Sequence, residues 1–441
     1  MSLNLTPLQT YTVRYPPTDI NSHREFGILK GGSNVAIRIG TTTSFSNSNV
    51  TFSLPPANPD TIYDRRMYIK YSVVFTFTGT APAAPNGNLL VPGCDALRAF
   101  PLSSVMSNVT LKINNTSNSI NLKDGIQAFL RYHNYGNMRQ IEYSAAPSML
   151  DFFQQYSDGF NTNRNSLAQY GDDSFDYSRG GFTYDSILQT PNLLGVPGPA
   201  STVIHATITE PIWVSPLLFG SDQGPGLIGI QSFELQIQWG DLTRMWSHDA
   251  VNGNTISNIA VDMVSGGTPA LLITQIIPQD LQVIPKNSVY SYFEMQNYST
   301  NVGVLNAHGD PFSLDFTTLA SNNVQLGSIP RKVYIYARKR NADLTFNDPD
   351  VFAGIISISI NWNGKDGQLS SASQNDLYNI SKKNGCNQSW SEWKGNTQFI
   401  QTNPATATPQ QSFVGLTGSV LCLNFGEDIG QIGQSELVIV C

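Results

Sequence analysis

Arg65-Arg66-Met67-Tyr68-Ile69-Lys70-Tyr71, continued by Ser72-Val73-Val74-Phe75-Thr76-Phe77, decides the fold. Apolar and polar side chains alternate along it, and β-branched and aromatic residues abound, as in a strand with one buried face. A counterpart lies 266 residues further on, Arg331-Lys332-Val333-Tyr334-Ile335-Tyr336-Ala337. Two more pairs follow in the same order. Leu111-Lys112-Ile113-Asn114-Asn115 resembles Ile358-Ser359-Ile360-Asn361-Trp362, and a polar turn and short helical pattern follow each. Phe219-Gly220-Ser221-Asp222-Gln223-Gly224 resembles Phe425-Gly426-Glu427-Asp428-Ile429-Gly430. The offset falls from 266 to 247 to 206 residues, so the first copy is longer. An ordered triple match points to an internal duplication.

Other alternating stretches surround these: Val109–Ile113, Val203–Ile208, Ile230–Trp239, Leu271–Ile277, Val289–Met295, Ile355–Trp362, Val420–Phe425 and Glu436–Val440. Helical patterns are short, at Asp124–Tyr132, Pro147–Tyr156 and Gln374–Lys383, the last with Ser373 as N-cap and Gly385 as stop. Strands at this density with short helices between them describe an all-β chain of two tandem eight-stranded jelly-roll sandwiches, a double jelly roll. The expected boundaries are 10–245 for the first, 246–265 for a linker and 266–441 for the second. An insertion, 133–202, makes the first copy longer. It is rich in rings (Phe152, Phe153, Tyr156, Phe160, Tyr170, Phe175, Tyr177, Phe182 and Tyr184) and reads as an interaction loop.

Of 441 residues only 13% are charged, while 40% are hydrophobic and 10% aromatic. Those fractions fill large cores and argue against disorder. The net charge is −7, and no basic side chain precedes Arg14. A flexible arm that neutralises nucleic-acid phosphate needs many Lys and Arg, so no specific nucleic-acid binding is expected. Arg65-Arg66 and Arg338-Lys339-Arg340 read as solvated strand or loop ends. The N-terminal residues lack the pattern of a secretory signal peptide, and no run of 18 apolar residues occurs, which points to intracellular synthesis without secretion. Cys94, Cys386, Cys422 and Cys441 are too dispersed for a disulfide framework, and Cys422 reads as a buried thiol.

Candidate chemistry fails in its context. Gly224-Pro225-Gly226-Leu227-Ile228-Gly229 fits GxGxxG, but a strand pattern follows where a dinucleotide site needs a helix. Ser247-His248-Asp249 has the residue types of a hydrolase triad, yet neighbours in sequence do not converge, so a polar loop is expected. His23, His133, His205, His248 and His308 never stand at metal-binding spacings. Asp222 and Asp428 read as turn-stabilising carboxylates, and Asp172-Asp173 and Asp348-Pro349-Asp350 as loop carboxylates. Trp390 and Trp393 read as core or intersubunit packing, with carbohydrate contact as the rival. The expectation is no catalytic residue, no metal and no cofactor.

The segment Ile329-Pro330-Arg331-Lys332-Val333-Tyr334-Ile335-Tyr336-Ala337-Arg338 is followed by Asp348-Pro349-Asp350, Ile358-Ser359-Ile360-Asn361-Trp362-Asn363 and Gly367-Gln368-Leu369-Ser370-Ser371. Then come Asp376-Leu377-Tyr378-Asn379-Ile380-Ser381 and Asn384-Gly385. Together they resemble major capsid proteins of small eukaryotic double-stranded DNA viruses, the polinton-like viruses and virophages of the adenovirus-hexon-like lineage. Leu242-Thr243-Arg244-Met245-Trp246-Ser247-His248 is similar to the same group. The resemblance implies a non-enzymatic virion protein whose homotrimers form pseudo-hexagonal capsomers of an icosahedral shell. Its implied partners are other copies of itself and penton and minor capsid proteins. A tandem carbohydrate-binding sandwich and a single-jelly-roll capsid protein with a projecting domain are the alternatives.

Overall fold

The computed structural model describes the chain apart from residues 1–9, 14–25, 30–32, 91–94, 133–181, 218–225, 249–252, 279–293, 303–316, 403–408, 430–436 and a few isolated positions. The first half carries β1 (Thr10–Val13), β2 (Phe26–Leu29), β3 (Ser33–Phe45), β4 (Asn49–Leu54), β5 (Ile62–Tyr63), β6 (Tyr68–Ala81), β7 (Asp95–Leu97) and helix α1 (Pro101–Val105). It continues with β8 (Met106–Ile113), β9 (Thr116–Ile120), helix α2 (Leu122–Leu130), β10 (Phe182–Thr190), β11 (Gly198–Pro211) and β12 (Phe233–Trp239). Then come β13 (Trp246–His248), β14 (Thr255–Asp262) and β15 (Ala270–Pro278).

From Tyr68 the alternating stretch Arg65–Phe77 is β6, the middle of an antiparallel sheet ordered β10-β11-β6-β15-β3-β4-β12-β8-β9. Its Tyr71, Val73, Phe75 and Phe77 are fully buried, while the residues between them lie at least partly open, as period-2 alternation requires. β3 pairs with β15 along Ser33–Gly40 and with β4 from Thr41 onward, so one strand passes between two layers. Gly40 stands at the change-over, where a Cβ would come within 3.1 Å of Leu271 and 3.2 Å of Leu54. Tyr71 meets Trp239 edge-on at 5.5 Å and ties the layers together. Val50, Phe52, Val109, Leu235 and Ile237 fill the same continuous core.

Two strands correct the expected boundaries. β14 falls within 246–265, taken as a linker, yet it pairs with β6 from Thr80 to Val74 and buries Ile256 and Ile259. β15, placed by the sequence in the second sandwich, pairs with β3, β5 and β6. The first sheet therefore runs on to Pro278. A bulge between Ile256 and Asn258 explains the omission: it spaces the buried isoleucines by three residues and breaks the two-residue period.

The second half carries β16 (Glu294–Asn297), β17 (Lys332–Ile335), β18 (Ile360–Trp362), β19 (Lys365–Gln368), β20 (Asn396–Thr402), β21 (Pro409–Gly415), β22 (Leu421–Asn424) and β23 (Leu437–Val440). Four of these form a sheet ordered β16-β23-β17-β22, and β18–β19 and β20–β21 are hairpins. Part of the repeat is visible as a hairpin followed by a helix: β8–β9 then α2, and β18–β19 then Gln374–Lys383. The later helix starts on the expected Ser373, whose hydroxyl accepts the Asp376 amide while Asp376 accepts the Ser373 amide, and Gly385 follows it at φ 102°. β23 follows Phe425–Gly430 as β12 follows Phe219–Gly224, yet it runs parallel to β16 and β17 where β12 is antiparallel to both neighbours. The Phe219–Gly224 match, the Pro147–Tyr156 helix and most of the insertion 133–202 lie outside the described residues. From Phe182 that insertion is β10 and the start of β11.

Candidate functional site

The residues that converge most tightly do so where the halves meet. Pairing of β7 with β13 fixes the chain just before Arg98. Asp241 accepts the Thr243 amide at 3.0 Å and caps a 3-10 turn, Leu242–Met245, that presents Arg244. Facing them, Asp348 accepts the Thr345 amide at 2.8 Å and hydroxyl at 2.9 Å, folding 345–348 so that its carbonyls point at the arginines.

Arg98 is fully buried and spends its guanidinium across this junction. Its Nη1 donates to Asp350 Oδ2 at 3.0 Å, and its Nη2 to the carbonyls of Asp348 at 2.7 Å and Phe346 at 3.1 Å. Its Nε donates back to the Trp246 carbonyl at 3.1 Å. Arg244 Nη2 takes the other Asp350 oxygen at 2.5 Å, and its Nη1 donates to the carbonyls of Asp348 at 2.6 Å and Thr345. Burial alone would push the Asp350 carboxyl upward, but the guanidiniums of Arg98, Arg244 and Arg338 outweigh it and hold it at about 2. A buried carboxylate with both oxygens claimed by guanidiniums is a lock between chain segments.

Helix α2 makes the second connection. Phe129 and Tyr132 pack edge-on against Tyr334 at 5.5 and 5.1 Å, and Ala128 joins a cluster with Phe352, Val420 and Cys422. Tyr132 Oη donates to the Val420 carbonyl, and Tyr336 Oη donates to the Asp124 carbonyl at 2.7 Å. A cavity of about 60 Å³ beside the lock is lined by Lys123, Gln127, Asp241, Arg244, Arg338 and Asp350 among others, room for ordered water.

Several sequence readings change here. Asp350 is a buried ion-pair partner rather than a plain loop carboxylate. Arg338 donates to the Asp124 carbonyl at 3.0 Å, and Arg65 is buried and donates to the Pro216 carbonyl at 2.5 Å, so neither is a solvated end. Ser247 and His248 are buried in β13, not in a polar loop, and His248 Nδ1 lies 2.8 Å from Asp95 Oδ1. Asp249 lies outside the described residues, as do Asp172, Asp173, Asp222, His23, His133 and His308. Asp428 accepts the Asn424 amide at 2.7 Å, a turn contact as expected. Leu227 exchanges hydrogen bonds with Tyr63 at 2.8 Å, placing the described part of the GxGxxG stretch in a bridge between strands. Trp393 is fully buried, stacked on Trp390 at 6.3 Å, and its Nε1 donates to the Val420 carbonyl at 3.2 Å. Cys422 is a buried free thiol that burial pushes up to about 12, which leaves little thiolate at neutral pH. Among the described residues no three His, Cys, Asp or Glu side chains group as metal ligands. Sequence reasoning missed Arg98 and the pairing role of Arg244. The one signal for Arg98 is a lone cation inside the apolar run Ala96-Leu97-Arg98-Ala99-Phe100.

Two family models match the chain: residues 7–280 match the Sputnik virophage major capsid protein 1st domain, and residues 294–436 the major capsid protein V20 C-terminal domain. The chain belongs to the virophage major capsid protein family. It is 31% identical over 447 aligned residues to the putative capsid protein V20 of Sputnik virophage, spanning 98% of this chain and 72% of that one. It is similar to a chain of the Sputnik virophage structure determined by cryo-electron microscopy, at a TM-score of 0.68 and 28% identity over 98% of this chain and 84% of that chain. The mavirus major capsid protein in its crystal structure shares the fold, at a TM-score of 0.64 and 15% identity over 93% of this chain and 82% of that one. The first family domain ends two residues past β15, where the strand pairing also ends. In this chain the Arg98–Asp350–Arg244 lock therefore joins the stretches that match the two family models.

Proposed function

We propose that this chain builds the shell of an icosahedral double-stranded DNA virus particle as a homotrimer with pseudo-hexagonal outline. The observation that carries the reading is the match of both family domains in order across nearly the whole chain. Two unequal β-rich units per chain imitate sixfold packing only when three chains surround one axis. Asp350 holds the two units in one orientation, and a lattice tile needs such a fixed shape. In this reading the chain is a virion structural protein, not an enzyme, with no specific nucleic-acid site. Its partners are neighbouring copies and, at vertices and seams, penton and minor capsid proteins. Sedimentation equilibrium and negative-stain imaging of purified protein test it. The expected species has three chains of 48.3 kDa and a pseudo-hexagonal face. A monomer at every concentration and salt tried would contradict it.

A further inference from the structure

We propose that the tip of the β10–β11 hairpin, Asn192–Val196, is an apolar knob that seats against a second copy of this chain. The inference rests on the shell-building reading above and names the surface that serves it.

The tip is rigid by construction. Asn192 is buried, and its Nδ2 donates to the carbonyls of Pro82 and Val196 at 2.9 Å and of Ala81 at 3.3 Å. Its Oδ1 accepts the Leu194 amide at 2.9 Å. The backbone is pinned as well, with Asn192 N donating to the Gly87 carbonyl at 2.7 Å and Ala84 N to the Leu194 carbonyl at 2.9 Å. A Cβ on Gly198 would come within 2.9 Å of the Leu194 side chain and 3.0 Å of Asn192 Oδ1. All this polar bracing turns aliphatic side chains outward. Leu193 is 83% exposed, Val196 61% and Leu194 53%, and Leu188 on the adjoining strand is 68% exposed. Chain entropy alone would leave such a loop mobile; here buried hydrogen bonds hold it in one shape, which lowers the ordering cost of docking.

The surroundings point to a like copy as the occupant. Among the described residues β10 is the terminal strand of its sheet, and no Asp, Glu, Lys or Arg occurs between Asp185 and Glu210. Past Asp185 the edge exposes Ile187 and Leu188 with no charge beside them, and an apolar stretch of edge strand invites association with another chain. Each copy carries a net charge of −7, so copies meet with least repulsion on an uncharged surface.

The test is the full-length double variant Leu193→Glu/Val196→Glu beside the wild type in sedimentation velocity, with thermal melting as the fold control. The expected result is an unchanged melting temperature and assembly weakened at least roughly tenfold. Assembly identical to wild type would overturn the knob. So would a lower melting temperature with assembly intact, the outcome if this chain covers its own tip. A wild type that never assembles would instead overturn the shell-building reading, and the knob with it. Should the double variant fail to fold, maleimide labelling of Leu193→Cys decides. Labelling at least roughly tenfold slower in the assembled fraction than in the dissociated one supports the contact, and equal rates overturn it.

Discussion

β6 and β17 begin alike in sequence, Met67-Tyr68-Ile69 against Val333-Tyr334-Ile335, yet they live in different surroundings. β6 runs 14 residues through the middle of one large sheet, and Tyr68, Tyr71, Phe75 and Phe77 sink into a core made by its own half. β17 runs four residues, and Tyr334 packs against Phe129 and Tyr132, which belong to the other half. Among the described residues the second half shows three smaller clusters instead of one core, and Tyr132 of the first half packs against two of them, including the one around Tyr334. Similar strand sequences thus yield one self-contained unit and one dependent unit. The difference lies in what each strand is given to bury against.

The largest effect should come from Phe77→Ala. It removes a fully buried ring that packs at a tilt against Trp246, centroids 4.7 Å apart, and should cost about 3–5 kcal/mol, unfolding both halves in a single denaturant transition. An early transition confined to the first half would break the proposed dependence.

A smaller effect is sensitive to pH. Asp350 is held at about 2 in the folded chain against an ordinary 3.8, so its ionisation stabilises the fold fully above pH 3.8. That contribution fades as pH falls through about 2, since protonation then releases both arginines. The stability difference between wild type and Asp350→Asn should shrink by about 2 kcal/mol between pH 4 and pH 2. A difference independent of pH across that window would mean the carboxylate charge is not what joins the halves.

The smallest effect belongs to the exposed start of the helix Gln374–Lys383. Ser373→Ala removes one side of a reciprocal cap and should cost about 1 kcal/mol. The loss should appear as faster amide exchange in that helix, with β6 untouched.

Local signals made much of this legible in advance. Alternation located β6, β8, β11, β12 and β15, and a capping serine with a following glycine bounded Gln374–Lys383. The all-β class followed from such segments, and the capsid family from the resemblance carried by Ile329–Arg338 and the motifs after it. The lock was not legible, because Arg98 and Asp350 are 252 residues apart and each looks ordinary beside its sequence neighbours. Arg338 shows the same limit: a basic triplet reads as solvated, and only the arrival of α2 gives its guanidinium a carbonyl to bind. β14 was hidden by its bulge, and the boundary moved with it.

The Asp350 lock and α2 are expected to hold the second half in its fold. Amide hydrogen exchange of full-length Asp350→Ala at neutral pH tests this most directly. With Arg98 and Arg244 left buried without their carboxylate, amides of β17 and β22 should lose protection, while those of β6 and β11 keep theirs. Equal protection in variant and wild type, or equal losses in both sheets, would mean that the second half does not depend on the lock.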